Sequence, residues 1–313
     1  MRINKNEILL KNKGRIPVVI LVLLLCVPLN NSQAQPSPPS EQTFILAGSK
    51  NTFPNVDIND ASAAIKIWGA ELQKNLKMGL SFDLMIFDNA EEITNYPDKD
   101  DLGLIILNSV DYLNIKSNMH LYPVLIALDR NEVYKSFVIL TRNDQIEELK
   151  DLKDKKLGLP KIFFNPIPDM WLQVKLSQDK LGEIRKFFNE IREYDKESEA
   201  ILSVFFGQND VCVVSKPAFE TMNELNPQVG EKLKLLAESP GYITGISCLS
   251  ENSKDFSYSK RFLDACLNLS VYTAGRQILT LMKTEKVGVF KPEYLNTIAQ
   301  LLKEYNTLSR KRK

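Results

Sequence analysis

Between Tyr134 and Ser239 the chain twice alternates a short apolar run with a polar loop and an amphipathic segment. The stretch Tyr134–Arg142, built around Phe137-Val-Ile-Leu140, predicts a strand. Asn143–Lys150 predicts a short helix with Ile146 and Leu149 on one side, and Lys155–Leu159 predicts the next strand. Farther on, a helix is expected to end at Gly207, four apolar residues at Val211–Val214 predict another strand, and Ser215-Lys-Pro217 opens a further helix. Short continuous apolar runs bounded by turn residues suit strands buried on both faces of a parallel sheet.

The same alternation runs through the first third of the chain. Phe44–Ala47 predicts a strand ended by Gly48-Ser-Lys50, and Ala61, Ala64, Ile65, Trp68 and Leu72 mark one face of a helix, with Asp60 as its cap and Gly79 as its stop. Strands are expected at Phe82–Phe87, Leu102–Leu107 and Tyr122–Leu128. Strands alternating with helices predict an α/β fold of mainly parallel sheets flanked by helices. The turn-rich Asp129-Arg-Asn-Glu132 marks a first crossing between two lobes, and Gly241–Gly245 a return that leads into Ile246–Leu249. Residues 43–130 plus 245–313 would then form lobe I and residues 131–244 lobe II. Tyr294, Leu295, Ile298, Leu301, Leu302 and Tyr305 recur at helical spacing and are expected to cover the first lobe and the hinge.

A length of 313 residues and a 44% hydrophobic content fit two cores of ordinary size. Lys13 and Arg15 precede ten apolar residues, Val18–Val27, and Ser32-Gln-Ala34 supplies small residues, the pattern of a secretory signal cleaved near Ala34. The apolar run would extend about 15 Å as a helix, half of the ~30 Å hydrocarbon layer, which disfavours a membrane anchor. Lipidation at Cys26 is disfavoured by Leu25, which stands where a small residue is usual. Gln35–Gln42, with Pro36-Ser-Pro-Pro-Ser40, reads as an extended leader outside the fold. Without residues 1–34 the chain keeps 35 basic and 38 acidic residues, a formal charge of −3 instead of +1. No field of one sign favours nucleic acid. Cys212, Cys248 and Cys266 are an odd set in an oxidising compartment; Cys212 and Cys248 could pair, or all three could be buried thiols.

Dispersed pieces of the sequence resemble the substrate-binding proteins of phosphate and phosphonate ABC transporters, members of the type II periplasmic-binding fold. They are Asp111-Tyr112-Leu113, Tyr134-Lys135-Ser136, the run Leu149–Leu157, the corner Gly207–Asp210, Ala237-Glu-Ser-Pro240 and Gly275-Arg-Gln-Ile278, and the likeness spans roughly residues 43–305. The resemblance implies a monomeric exported protein that closes around a small anionic ligand, with no cofactor, and serves an ABC permease in the membrane. One departure weakens the ligand inference. Such proteins usually open a helix with a Ser/Thr-rich turn after the strand at Leu157-Gly-Leu159, whereas here Pro160–Trp171 carries no hydroxyl, and Pro166 and Pro168 donate no backbone hydrogen. Phe163, Phe164 and Trp171 either belong to the core or stack on an organic ligand.

Ligands of open parallel sheets bind beyond the carboxyl ends of the strands. By that rule lobe I offers Ser49, Lys50, Asn108, Ser109 and Tyr112. Lobe II offers Tyr134, Ser136, Asn165, Ser215 and Lys216, with Glu238 nearby. Each has a structural alternative: Ser109 and Ser215 as helix caps, Lys50 and Lys216 as solvated charges, Tyr112 and Tyr134 as packing residues. Enzyme chemistry has little support, since His120 is the sole histidine and no nucleotide-binding glycine motif occurs. Two other outputs remain compatible with the fold: a periplasmic sensor signalling to a membrane kinase or cyclase, and a degenerate binding fold kept as an interaction scaffold.

Overall fold

The computed structural model describes residues 42–52, 57–76, 80–142, 146–161, 166–254 and 259–310. The signal segment, the leader up to residue 41, Gly79, Phe163, Phe164 and Asn165 lie outside the described residues.

Strand β1 (Gln42–Ser49) begins one residue before Thr43, because Gln42 already pairs with Leu80. Helix α1 (Ile58–Leu76) is capped by Asp57, whose Oδ1 accepts the backbone N–H of Asn59 at 2.8 Å and of Asp60 at 3.4 Å. Asp60 therefore lies inside the first turn and is not the cap. There its charge still complements the helix dipole. Next come β2 (Leu80–Phe87), α2 (Ala90–Asn95), β3 (Leu104–Asn108), α3 (Ser109–Ile115) and β4 (Tyr122–Leu128). The chain then crosses to a second sheet through β5 (Phe137–Thr141), β6 (Lys156–Pro160), α4 (Ile167–Gln178), α5 (Ile184–Phe187) and β7 (Glu190–Tyr194). That region closes with α6 (Glu197–Phe205), β8 (Val211–Ser215), α7 (Lys216–Leu225), α8 (Pro227–Lys232) and β9 (Lys234–Glu238). The return supplies β10 (Gly245–Leu249), α9 (Ser259–Leu267), α10 (Thr273–Leu281), β11 (Lys286–Val289) and α11 (Asn296–Arg310).

The first sheet is 6-stranded in the order β11-β4-β10-β3-β1-β2, and the second is 5-stranded in the order β7-β6-β8-β5-β9. Each is mixed. β1 runs parallel to β2 and β3, but β10 is inserted between β3 and β4 antiparallel to both, and edge strand β11 is antiparallel to β4. In the second sheet β6 is parallel to β7 and β8, while β5 runs against β8 and β9. The reversed strands β5 and β10 are the first ones laid down after each crossing, so each sheet stays mainly parallel around a strand delivered from the other.

Strand periodicity places helices on both faces of each sheet. Val211 and Val213 enter one apolar cluster with Ile139, Leu157 and Trp171, while Cys212 and Val214 enter another with Ala200, Ile201 and Val204. In the first sheet Phe44 and Leu46 pack with Trp68, Phe82 and Phe262, and Ala47 packs on the opposite side with Ile93, Ile105 and Tyr112. Phe82 and Phe262 stack with ring centroids 5.9 Å apart. Cys212 and Cys248 lie in different sheets, and both, with Cys266, are buried free thiols whose ionisation burial strongly opposes.

Three local expectations are revised. β5 starts at Phe137 and not at Tyr134, because Lys135 instead exchanges two backbone hydrogen bonds of 2.9 Å with Tyr242. The helix expected at Asn143–Lys150 appears, among the described residues, as a 3-10 turn at Leu149–Leu152. Asp151 fixes its start by accepting the backbone N–H of Glu147 at 3.1 Å and of Glu148 at 2.9 Å. Helix α11 reaches the return crossing, where Thr297 Oγ1 donates to the Gly241 carbonyl at 2.7 Å. Its buried residues Ile298 and Leu301, however, share a cluster with Met170 and Trp171 of α4 and do not cover the first sheet alone. Two glycines are demanded by geometry. Gly207, at φ +75°, ends α6 in the left-handed region, and Gly275 at the start of α10 lies so near Leu269 that a Cβ would stand 2.0 Å from its carbonyl oxygen.

Candidate functional site

The two crossings lie side by side. The outgoing one makes a tight turn at Asp129–Glu132, with Arg130 and Asn131 at φ 50° and 63°, and then pairs Lys135 with Tyr242 of the returning one. Around these crossings the carboxyl ends of β1, β3, β6 and β8 enclose a cavity of about 370 Å³. Its polar wall includes Asn51 and Thr52 after β1, Asn108 at the end of β3, Lys161 after β6, Glu197 at the start of α6 and Ser215 at the end of β8. A volume of this order is that of a small-molecule site.

The cavity brings together two of the residues expected from sequence, Asn108 and Ser215. Asn108 caps α3: its Oδ1 accepts the Asp111 N–H at 2.8 Å and its Nδ2 donates to Asp111 Oδ2 at 2.7 Å. Ser215 is buried at the N-terminus of α7, where its Oγ accepts the Ala218 N–H at 3.3 Å. The Glu197 carboxylate closes on the same serine, taking the Ser215 N–H on Oε1 at 2.5 Å and the Ser215 hydroxyl on Oε2 at 2.9 Å. A backbone amide and a hydroxyl at a helix N-terminus thus already hold an oxyanion that belongs to the protein itself.

The other expected residues are placed elsewhere. Ser49 is buried with its Oγ 3.2 Å from Thr52 Oγ1, and Lys50 extends to Asp88 in an exposed ion pair. Ser109 is spent on structure, donating its hydroxyl to the Ile243 carbonyl at 2.7 Å and its N–H to Thr244 O at 3.1 Å, which ties α3 to the return crossing. Tyr112 is buried in the first sheet's core, and burial pushes its hydroxyl up to about 12. Tyr134 is 42% exposed and meets Tyr294 edge-on with centroids 5.9 Å apart. Ser136 and Lys216 converge on Glu238 and not on the cavity, with the Ser136 hydroxyl 3.0 Å and Lys216 Nζ 2.9 Å from Oε1. Asn165 lies outside the described residues. Trp171 is buried in the second sheet's cluster, which settles its role as core.

Sequence reading missed the charged rim. Lys135 pairs with Asp129 at 2.8 Å and Lys161 with Asp195 at 3.0 Å, so two of the three lysines that line the cavity, the third being Lys283, carry a carboxylate partner. Asp111, behind Asn108, has its carboxyl raised above the usual range by burial, an effect partly offset by hydrogen bonds from Asn108 and Ser49. An acid whose folded-state value is raised holds its proton more tightly when folded, so this group's contribution to stability falls as pH rises through the window between its unfolded and folded values. Asp111→Asn is therefore expected to raise Tm at neutral pH and to lose that advantage below the ordinary carboxylate range, as thermal melts at pH 7 and pH 3 would read. An equal gain at both pH values would show that charge burial is not the cause.

A family model described as ABC transporter, phosphonate, periplasmic substrate-binding protein matches residues 52–293. The chain belongs to this family. It is accordingly a periplasmic solute-binding protein of the two-lobe type II fold, and its family is one of binders, not enzymes. Solved structures agree at the level of fold. PhnD1 of Prochlorococcus marinus (MIT 9301), in complex with methylphosphonate, is 15% identical, with a TM-score of 0.56 over 85% of this chain and 99% of that one. XAC2383 of Xanthomonas citri, solved with chloride bound, is 10% identical, with a TM-score of 0.60 over 86% and 99%. A binding protein component of an ABC phosphonate transporter (PA3383) from Pseudomonas aeruginosa is 12% identical, with a TM-score of 0.53 over 85% and 87%. No curated protein sequence matches the chain. At the opening of α4 Pro166 and Pro168 donate no backbone hydrogen.

Proposed function

We propose that this protein captures a small phosphonate-like oxyanion between its lobes by hinge closure and delivers it, as a monomer, to an ABC permease, after removal of a signal peptide near Ala34. In this reading lobe I comprises residues 43–130 and 245–313 and lobe II residues 131–244. The observation that carries the proposal is the pair of Ser215 donors, which grip the Glu197 carboxylate as they would grip a ligand oxyanion at the cavity wall. The ligand takes those donors when Glu197 swings aside, with Lys161 and Asn108 close by on the same wall. Contacts from both sides favour the closed arrangement.

Calorimetric titration with methylphosphonate, phosphate and phosphite, paired with small-angle scattering, tests the proposal. One-to-one binding of at least one of these anions with a decrease in radius of gyration is expected, and Ser215→Ala should weaken that binding at least tenfold. The absence of heat with all three anions would overturn it. It would also favour the scaffold reading, in which Glu197 permanently fills the anion position.

A further inference from the structure

The cavity does not stop at its polar mouth. It continues beneath the first sheet, between the strands and helices α1 and α10, where its wall is apolar and includes Trp68, Leu104, Leu125, Leu269 and Ile278. Sheet register explains how a passage forms there. Ser247 of β10 stands opposite Ile106 of β3 and Leu125 of β4, and all three line the cavity. In the middle of the sheet the inward position is thus held by a small polar side chain, where a leucine would fill the space. The wall also contains an unused polar group, since the Trp68 indole Nε1 is buried without a hydrogen-bond partner among the described residues. Protein interiors are packed to crystal-like density with few voids larger than a water molecule. Space that opens from a ligand-sized mouth and runs up to apolar side chains is suited to the apolar part of a ligand, even though the deepest of them, Trp68, Leu104 and Leu125, are themselves buried.

We propose that this space is a second subsite, which takes the apolar substituent of the ligand. The molecule captured would be an oxyanion carrying an alkyl or aryl tail, its head at Ser215 and its tail running past Ser247 towards Trp68. The position of the head rests on the function proposed above; the tail subsite stands on the cavity alone.

The test compares n-hexylphosphonate, methylphosphonate and hexan-1-ol on the full mature protein, read by calorimetry and by the indole N–H resonance of Trp68, assigned with Trp171→Phe. Transfer of each methylene from water is worth about a fourfold gain in affinity. Hexylphosphonate is therefore expected to bind at least tenfold more tightly than methylphosphonate and to shift the Trp68 resonance, which methylphosphonate leaves in place. Ser247→Leu, which fills the passage, should abolish the chain-length gain while preserving methylphosphonate affinity and Tm. Hexan-1-ol separates the two readings. A Trp68 shift with hexan-1-ol that Ser247→Leu removes supports the apolar subsite even if no phosphonate binds. An unmoved Trp68 resonance with both six-carbon probes overturns the subsite, even if methylphosphonate binds well.

Discussion

Glu197→Gln is expected to tighten binding of methylphosphonate by about a hundredfold. Glu197 presents a full negative charge to the Ser215 donors, with its oxygens 2.5 and 2.9 Å away. An incoming oxyanion must displace that carboxylate and then lie beside it. Two unit charges about 5 Å apart repel by roughly 3 kcal/mol at an effective dielectric of about 20, which corresponds to about two decades of affinity. Glutamine keeps the size of the side chain and one acceptor oxygen for the Ser215 amide but removes the charge. Titration of methylphosphonate into both proteins at low ionic strength reads the effect directly. Unchanged affinity would place the anion away from Ser215, and a loss of affinity would show that the Glu197 carboxylate positions the Ser215 donors instead of competing for them.

The largest stability change is expected from Gly275→Ala. In the interior of most helices this exchange is favourable, but here the new Cβ would meet backbone, 2.0 Å from the Leu269 carbonyl oxygen and 2.8 Å from its carbon. Neither atom can rotate away as a side chain would. The Leu269 carbonyl also accepts the Tyr272 N–H at 3.1 Å, within the 3-10 turn that leads into α10. Overpacking of this kind costs about 3 kcal/mol. For a domain of this size that is a fall in Tm of roughly 6–12 °C. Calorimetry of the purified variant checks it, and a Tm within 2 °C of the parent would mean that α10 and the turn before it separate easily. Gly275 belongs to one of the short segments that resemble the phosphonate-binding family, and this contact gives that glycine a physical reason.

The elements easiest to find from sequence were those whose composition leaves one choice. Leu104–Leu107 and Val211–Val214 have no polar face, so each had to be a strand covered on both sides, and both are fully buried. Strand β7 escaped notice because Glu190-Ile-Arg-Glu-Tyr194 forms an edge, where charge protects against unwanted pairing and conceals the strand pattern. The site was legible as a location more than as a set of contacts. Strand ends pointed to Asn108 and Ser215, but their partners are set by the tertiary fold. Ser215 meets Glu197 from 18 positions away and Ser136 meets Glu238 from 102. Ser109 reads the same in sequence as a capping or a liganding serine, and only its hydrogen bond to the Ile243 carbonyl, 134 positions distant, decides between them.

Helix α11 adds a third link to the closure proposed above. Two strand-like links side by side form a ribbon that resists stretching but yields to both bending and twisting. A third link leaves β11 at the edge of the first sheet and continues into a helix of 15 residues seated on α4, pinned to the ribbon by Thr297 and to the far end of α4 by the bond from Gln178 Nε2 to Glu304, 3.2 Å long. In the hinge closure proposed above, these three attachments would oppose twisting of one sheet against the other. Any solute reaching the cleft would then meet the same two faces in the same alignment at every cycle, and shortening the chain at its carboxyl end would loosen that alignment before it touched either sheet.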